Sequence, residues 1–258
     1  MKTQAKTFIG NYYILYTLGL IFVFCLWFLL SYTVGNNNLY FPSPIETFKR
    51  LFEFMGESYI YRSIGWTLLR TLIGFGASFI AAILLGTVAG NYHRVYLFLK
   101  PLMLVFKSLP TAAFVFLFLV LSGSRFAPIY IVFLISFPIL YEAIAGGMLN
   151  ITQEVKDSLR LDSANYFTTV FKVKLPLALP YLIVGLTSSF ALSLRTEIMA
   201  EIITGDTNAG IGNMISAYRM IDATDLTPVF SLSLVVLIFV LIIDLIGMII
   251  NKHIDLEK

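Results

Sequence analysis

Charged side chains stand inside a long apolar segment in the last third of the chain. Glu197 and Glu201 lie four residues apart, so in a helix they share one face with Ser193, and Arg195 lies between them in sequence. A charge inside a lipid bilayer costs at least about 2.5 kcal/mol, so it persists where it is paired or where it faces water. Two compatible interpretations follow. Arg195 pairs with a carboxylate of a neighbouring helix or subunit, or this segment lines a polar translocation path.

A second cation, Lys107, stands in another apolar run, in the sequence Lys107-Ser-Leu-Pro110. Proline removes a backbone hydrogen bond and kinks or interrupts a helix. Inside a membrane, such a break survives only where protein or water satisfies the freed groups. The pattern favours a helix that faces a pore or another subunit, and as an alternative Lys107 extends to the interface or pairs with Glu142. Asp244, in the last apolar segment, is interpreted as an ion-pair or capping residue.

The composition requires that these segments cross a membrane. Of the 258 residues, 58% are hydrophobic and 13% are charged, whereas a soluble domain has about 25% charged residues. A spanning helix needs about 20 apolar residues. The six predicted spans are residues 12–34, 66–90, 96–121, 127–149, 179–203 and 226–250. The sequence therefore predicts an all-α, polytopic membrane protein with a single transmembrane domain over residues 1–258.

The distribution of Lys and Arg predicts the orientation of the spans. Six spans place both termini on one side, where ten Lys and Arg residues flank the spans, against five on the other side. By the positive-inside rule, we expect both termini in the cytoplasm.

The same composition excludes several functional classes. The net charge of +3 and the absence of a basic patch argue against a nucleic-acid partner. The single cysteine, Cys25, rules out an intrachain disulfide and a cysteine metal site. The sequence also contains no metal-ligand motif, no nucleophile elbow and no Gly-x-x-x-x-Gly-Lys-[Ser/Thr] phosphate loop, so we predict neither a metal site nor catalytic residues.

Two local patterns outside the charged segments predict helices with defined contacts. Ser43, Pro44 and Glu46 form the signature of a capping box, which begins a short amphipathic helix in the membrane interface. A row of small residues at intervals of four predicts close packing between two helices. This row comprises Gly74, Ser78, Ala82, Gly86 and Gly90.

The only sizeable inner segment is residues 150–180. Thr152 can cap a first short helix, and Asp162-Ser163 can interrupt it and cap a second one. We expect this second helix to run to about Lys174 and to stop before Pro176. Two short amphipathic helices at the membrane surface form a plausible docking lever for another protein.

This segment resembles the EAA loop of binding-protein-dependent ABC importer permeases. When the patterns are aligned on Leu175-Pro176, the family's Glu-Ala-Ala triplet falls on Asp157-Ser158-Leu159, and its glycine falls on Ser163. The carboxylate is kept as aspartate, whereas the two alanines and the glycine are replaced.

Further motifs are similar to those of permeases from the nitrate, sulfonate and taurine group. They are Phe41-Pro-Ser-Pro, Leu69-Arg-Thr-Leu-Ile-Gly-Phe with Leu85-Gly-Thr-Val-Ala-Gly, Lys107-Ser-Leu-Pro, and Ala200-Glu201 with Gly210-Ile-Gly212. The resemblance covers nearly the whole chain. It implies the fold of a type I ABC importer permease and a place in the plasma (cytoplasmic) membrane of a prokaryote.

The resemblance also implies partners and a mechanism. Two permease subunits, expected to be a homodimer in membrane lipid, form a path for a small polar solute such as a sulfonate, nitrate or taurine. An extracytoplasmic binding protein delivers the solute, and separate cytoplasmic ATPase subunits bind ATP and magnesium, so this chain needs no cofactor and is not an enzyme.

Two sets of residues are assigned on this basis. The residues expected to couple to the ATPase are Asp157, Ser158, Leu159, Ser163, Phe167, Phe171, Leu175 and Pro176. The residues expected to line the translocation path are Lys107, Ser193, Arg195, Glu197 and Glu201.

Two other functional classes were weighed. A stand-alone secondary transporter or channel would use Glu197, Glu201 and Arg195 as an ion relay, but it would not explain the inner segment at residues 150–180. An intramembrane enzyme would need a nucleophile–base pair or a set of metal ligands, and the sequence offers neither.

Overall fold

In a computed structural model, the protein is built from α-helices. The structure describes residues 2–34, 41–161, 166–205 and 210–256, and within these ranges it contains no β-strand. The helices are α1 (Lys2–Val34), α2 (Pro44–Met55), α3 (Ser58–Asn91), α4 (His93–Ser108), α5 (Thr111–Ser122), α6 (Ala127–Leu149), α7 (Gln153–Leu161), α8 (Tyr166–Thr169), α9 (Leu175–Thr204), α10 (Ile211–Ile221) and α11 (Thr227–Leu256).

The helices confirm the predicted all-α membrane fold. Among the described residues, five helices are long and apolar enough to cross a membrane, and α4 with α5 makes a sixth span if this bent pair counts as one. The helix α6 coincides with the predicted span at 127–149, while α3 begins eight residues before the predicted start at 66. The short helix α10 was not predicted from the sequence.

The predicted span at 96–121 is not one straight helix. The helix α4 ends at Ser108, α5 begins at Thr111, and the two helix axes meet at an angle of 94°. Pro110 causes this break, because it offers no N–H for a continuous helix and because it forces Leu109 into an extended conformation (φ −72°, ψ 134°). The interruption predicted at Pro110 is therefore confirmed, and it is a sharp corner.

The prediction that a helix stops before Pro176 is wrong. The short helix α8 passes through a π-helical turn, Val170–Lys174, directly into α9. In this turn the N–H of Leu175 donates to the carbonyl of Val170. A π turn shifts the hydrogen-bond register by one residue, and this shift lets the helix pass the position at which proline supplies no donor. The first predicted helix is confirmed as α7, whereas Asp162 and Ser163 lie outside the described residues.

The chain divides into two compact units, the first of which comprises residues 1–58 and 217–235. Its helix α2 has the predicted capping box, because the Ser43 hydroxyl accepts from the Glu46 N–H at 3.2 Å and the Glu46 carboxylate accepts from the Ser43 N–H at 3.3 Å. Phe54 is fully buried and its ring packs against that of Tyr218. The Ser231 hydroxyl also donates to the Thr47 carbonyl at 2.9 Å.

The second unit comprises residues 59–216 and 236–258, and glycines allow its helices to approach closely. A Cβ atom on Gly86 would lie 3.0 Å from the Ile144 Cβ, and one on Gly90 would lie 2.7 Å from the Met148 Cβ. The small-residue row of α3 therefore packs against α6, as predicted. The helix α6 also packs along α9, where a Cβ on Gly147 would come within 3.1 Å of Ala178.

We predict that Gly74→Ala lowers the thermal unfolding midpoint of the purified protein in detergent. A Cβ at this position would lie 2.6 Å from the Ile129 carbonyl oxygen, and overpacking of this kind costs about 1–3 kcal/mol. Gly76→Ala, two residues further in the same helix, is the matched control, because its Cβ would meet no described atom within 4 Å. An equal loss of stability in both variants would contradict the packing argument.

Candidate functional site

The carboxylate of Glu201 joins three helices inside the second unit. It is fully buried, and it accepts hydrogen bonds from the Thr67 hydroxyl at 2.9 Å, the Arg70 guanidinium at 3.1 Å and the backbone N–H of Gly212 at 3.0 Å. The Thr67 hydroxyl in turn accepts from the N–H of Ile211 at 3.0 Å. A carboxylate of α9 therefore holds both α3 and the N-terminus of α10.

Glycines make this arrangement of the backbone possible. Gly205 ends α9 in the left-handed conformation (φ 62°), and Gly210 has a φ of 125°, which side chains rarely adopt. A Cβ on Gly212 would lie 2.7 Å from the Cβ of Glu201. The first turn of a helix has N–H groups without partners within the helix, and it favours a negative charge. Glu201 supplies that charge to α10.

Glu197 lies one turn before Glu201 and has a different environment. It is fully buried, yet neither oxygen of its carboxyl group has a hydrogen-bond partner among the described residues. Ser193, one further turn away, is also fully buried, and its hydroxyl donates to the Ser189 carbonyl at 2.7 Å. Buried polar groups are normally hydrogen-bonded, so Glu197 is the exception in this part of α9.

Two other ion pairs of the second unit are partly exposed. Lys107 of α4 pairs with Glu142 of α6, with 37% and 41% of the two side chains exposed. Arg195 of α9 pairs with Asp244 of α11, with 54% and 25% exposed. The predicted Lys107–Glu142 pair is confirmed, as are the carboxylate partner expected for Arg195 and the ion-pair interpretation of Asp244. An exposed charge at membrane depth needs water or another protein surface.

The structure thus separates the five residues predicted to line a translocation path. Lys107 and Arg195 lie at the surface of the chain, whereas Ser193, Glu197 and Glu201 lie in its interior. Their assignment to a path stays a prediction. Six exposed side chains of α9 form a stripe at helical spacing, which ends at Arg195, while Pro176 and Leu179 are exposed outside it. The stripe comprises Leu177, Tyr181, Val184, Ser188, Leu192 and Arg195.

A groove between α6 and α9 opens beside this stripe. We call it the α6–α9 groove, and its volume is about 470 Å³. It is lined by Ile139, Glu142, Ala143, Gly146, Gly147, Asn150, Pro180, Tyr181, Val184 and Gly185. The sequence analysis missed it, because a groove depends on how two helix faces meet.

The residues predicted to couple to an ATPase lie on α7 to α9 or outside the described part. Ser158 on α7 is exposed, Phe171 in the π turn is 50% exposed, and Pro176 at the start of α9 is exposed. Leu159 and Leu175 are half-buried. Asp157 lies on α7 and Phe167 on α8, but their side chains, like the whole of Ser163, lie outside what the structure describes.

Sequence reasoning did not identify the partners of Glu201. Thr67 is separated from Glu201 by 134 residues, and a single sequence holds no signal for a contact over that distance. The pairing of Ala200-Glu201 with Gly210-Ile-Gly212 was noticed as a motif, and the structure explains it as a carboxylate bound to the backbone N–H of Gly212.

The fold defines a helical membrane protein with several spans. The comparison with known families is consistent with this class, since residues 82–256 match the model of the family described as "Binding-protein-dependent transport system inner membrane component". The chain belongs to this family. The matched region extends from the last third of α3 to the end of α11 and includes the segment at 150–180.

The curated relatives are permeases of ABC transporters. A "Probable ABC transporter permease protein" of Brucella melitensis is 26% identical over 215 residues, which are 78% of this chain and 85% of the relative. The "Nitrate import permease protein" of Synechocystis sp. is 26% identical over 73% of this chain and 70% of its own length. The "Bicarbonate transport system permease protein" of Synechococcus elongatus is 28% identical over 72% and 71% of the two chains.

A solved structure shares the fold. A chain of the MetNI methionine ABC transporter, in an inward-facing conformation, superposes with a TM-score of 0.61 at 19% sequence identity. The superposition covers 76% of this chain and 95% of the MetNI chain.

We predict that Glu201→Ala strongly destabilises the protein, whereas Glu197→Gln does not. Glu201→Ala breaks the buried pair with the Arg70 guanidinium, whose side chain is 8% exposed, and breaking a buried pair costs about 3–5 kcal/mol. Glu197→Gln keeps the shape of the side chain and loses no hydrogen bond within the described residues. Its unfolding midpoint is expected to equal or exceed that of the wild type.

Thermal unfolding of both variants in the same detergent checks this pair of expectations. A midpoint for Glu201→Ala within error of the wild type would contradict the role of Glu201 as the link between α3, α9 and α10. If Glu197→Gln lowered the unfolding midpoint as much as Glu201→Ala, Glu197 would contribute as much to stability as Glu201.

Proposed function

We propose that this chain is the membrane subunit of an ATP-driven importer and that two copies form a path for a small polar solute between them. The family match over residues 82–256 is the observation on which the proposal rests. In this proposal an extracytoplasmic binding protein delivers the solute, and separate cytoplasmic subunits bind and hydrolyse ATP. The absence of a phosphate-binding loop from the sequence fits this division of labour.

The coupling segment, residues 150–180, is proposed as the contact with the ATPase. It contains α7, α8, the π turn and the first residues of α9, and α8, the π turn and α9 follow one another without a break. A displacement of this segment by the ATPase would therefore act on α9 as a whole. Because α9 also holds Arg195 and Glu201, the same displacement would reach the Arg195–Asp244 pair and the N-terminus of α10.

The proposed arrangement places both termini in the cytoplasm and two identical subunits in the membrane. The excess of Lys and Arg in the segments on the side of the termini supports the orientation. The exposure of more than half of the Arg195 side chain supports a second protein surface or a wet path beside α9.

We predict that Phe171→Ala and Asp157→Ala each weaken binding of the ATPase subunit about tenfold. Truncation of an aromatic anchor at an interface costs more than about 1 kcal/mol, and the Phe171 side chain is half exposed in the π turn. Phe52→Ala is the matched control, because Phe52 is 70% exposed but lies on α2. The measurement is copurification of the neighbouring gene's ATPase with each variant. ATPase binding at the wild-type level by both coupling variants would refute the assigned contact.

The import function is tested by reconstitution in lipid. We expect the complex of this chain with the ATPase to hydrolyse ATP faster when the binding protein encoded nearby is added with its solute than when it is added empty. Absence of any complex with an ATPase, together with ion-driven uptake by this chain alone, would instead favour a stand-alone secondary transporter.

A further inference from the structure

The α6–α9 groove combines an apolar wall with one pair of opposite charges. Among its lining residues Glu142 is the only charged one, and Lys107 pairs with it from α4. Asn150 and Tyr181 add polar groups, and the other lining residues are aliphatic, glycine or proline. Among the described side chains, one negative charge at the groove is therefore matched by one positive charge.

The groove has room for a molecule of a few non-hydrogen atoms. Its volume of about 470 Å³ lies in the range of small-molecule sites. A Cβ on Gly146 would meet no described atom within 4 Å, so this glycine faces open space, whereas a Cβ on Gly147 would lie 3.1 Å from both Ala178 and Tyr181. Gly147 serves helix packing, and Gly146 leaves the groove open.

The ion pair retains hydrogen-bonding capacity for a further molecule. A lysine ammonium has three donors and a carboxylate has about four acceptor sites, and 37% and 41% of the two side chains are exposed. A molecule with both a donor and an acceptor can bind to Glu142 and Lys107 at once. An anion would be repelled by Glu142, and a cation would be repelled by Lys107, because like charges in one site are costly.

The position of the groove connects it to the proposed transport movement. It lies where α6 ends and α9 begins, so Asn150 and Pro180, which are at the two ends of the inner segment, are among its lining residues. The exposed stripe of α9 runs from Tyr181 in the groove to Arg195, whose charge is again matched, by Asp244. This face of α9 therefore offers no unmatched positive charge among its described residues.

We propose that the α6–α9 groove contacts the transported solute and selects one without net charge that has both hydrogen-bond donors and acceptors. This inference rests on the proposed import function. It assigns a charge class different from nitrate and bicarbonate, the anions for which two of the relatives are named.

Four probes of similar size and different charge test this selection. They are β-alanine, a zwitterion; propionamide, which is neutral; propionate, an anion; and propylammonium, a cation. Binding of each radiolabelled probe is measured by equilibrium dialysis with the complex of permease and ATPase in lipid nanodiscs. We expect the wild type to bind β-alanine and propionamide about tenfold more tightly than propionate or propylammonium, since one unfavourable charge contact of about 1.4 kcal/mol has this effect.

Two charge variants should invert the selection. Glu142→Gln leaves the Lys107 charge unmatched and is expected to favour propionate, whereas Lys107→Gln is expected to favour propylammonium. Glu53→Gln removes the carboxylate from the exposed Arg50–Glu53 pair of α2, and as the control it should leave the order of the four probes unchanged. A purely structural role of the Lys107–Glu142 pair would lower all affinities together and would not invert them.

A third variant tests the location. Gly146→Leu fills the groove with its side chain and should abolish binding of all four probes. Gly76→Leu is its matched control, because Gly76 is also a helical glycine with no described atom within 4 Å of its Cβ and it does not line the groove.

Three results would overturn the proposal. They are propionate binding as tight as that of β-alanine in the wild type, an unchanged order of probes in Glu142→Gln, and either no binding of any probe to the wild type or binding that Gly146→Leu leaves unchanged. No binding of any probe would mean that lipid or a second copy of the chain covers the groove. Copurification of the ATPase, measured before the probes are added, tests the proposed function separately, so failure of the one is distinguishable from failure of the other.

Discussion

A charge inside an apolar helix must be paired or must face water, and the buried pair of Glu201 with Arg70 organises the second compact unit. Glu201 binds the Thr67 hydroxyl, the Arg70 guanidinium and the N–H of Gly212 in a fully buried place. In a membrane no water replaces a lost partner there, so an error in the placement of α3 or α10 would leave a buried charge unsatisfied. The pairs of Lys107 with Glu142 and of Arg195 with Asp244 link further helices in the same way.

Small residues allow these polar contacts to form, because they let the helices approach closely. Gly74, Gly86 and Gly90 bring α3 against α6, and Gly147 and Gly185 bring α6 against α9. The hydrophobic effect does little to drive helices together in lipid, so their association depends on close packing and hydrogen bonds. The helix α9 takes part in each arrangement: it continues from the coupling segment without a break, it lines the groove, and its last turn carries Glu201, which binds the N-terminus of α10. It is thus the element through which a movement of the coupling segment would reach the rest of the unit.

Several features could be predicted because their causes are local. The capping box of Ser43 and Glu46 needs only four consecutive residues, and it forms as expected. Pro110 interrupts its span because proline has no N–H and restricts the residue before it. The resulting angle of 94° depends on what α4 and α5 pack against. Pro176 shows the opposite case, because a π turn, which the sequence did not indicate, lets the helix continue through it. The helix α10 was missed because the carboxylate that binds its N-terminus is that of Glu201, which belongs to the preceding helix α9 and is not part of a local capping motif.

The sequence by itself determined the class of the protein: its apolar composition requires a membrane, its apolar runs place the spans, and its motifs lead to the permease family that the comparison confirms. Only the tertiary structure decided which charges are buried and which are exposed. Ser193, Glu197 and Glu201 share one face of α9, and Arg195 lies on the opposite, exposed face. Helical periodicity assigns these residues to two faces, but it does not show which face is buried. Burial depends on the neighbouring helices α3, α6 and α11, whose contacts join residues far apart in the chain.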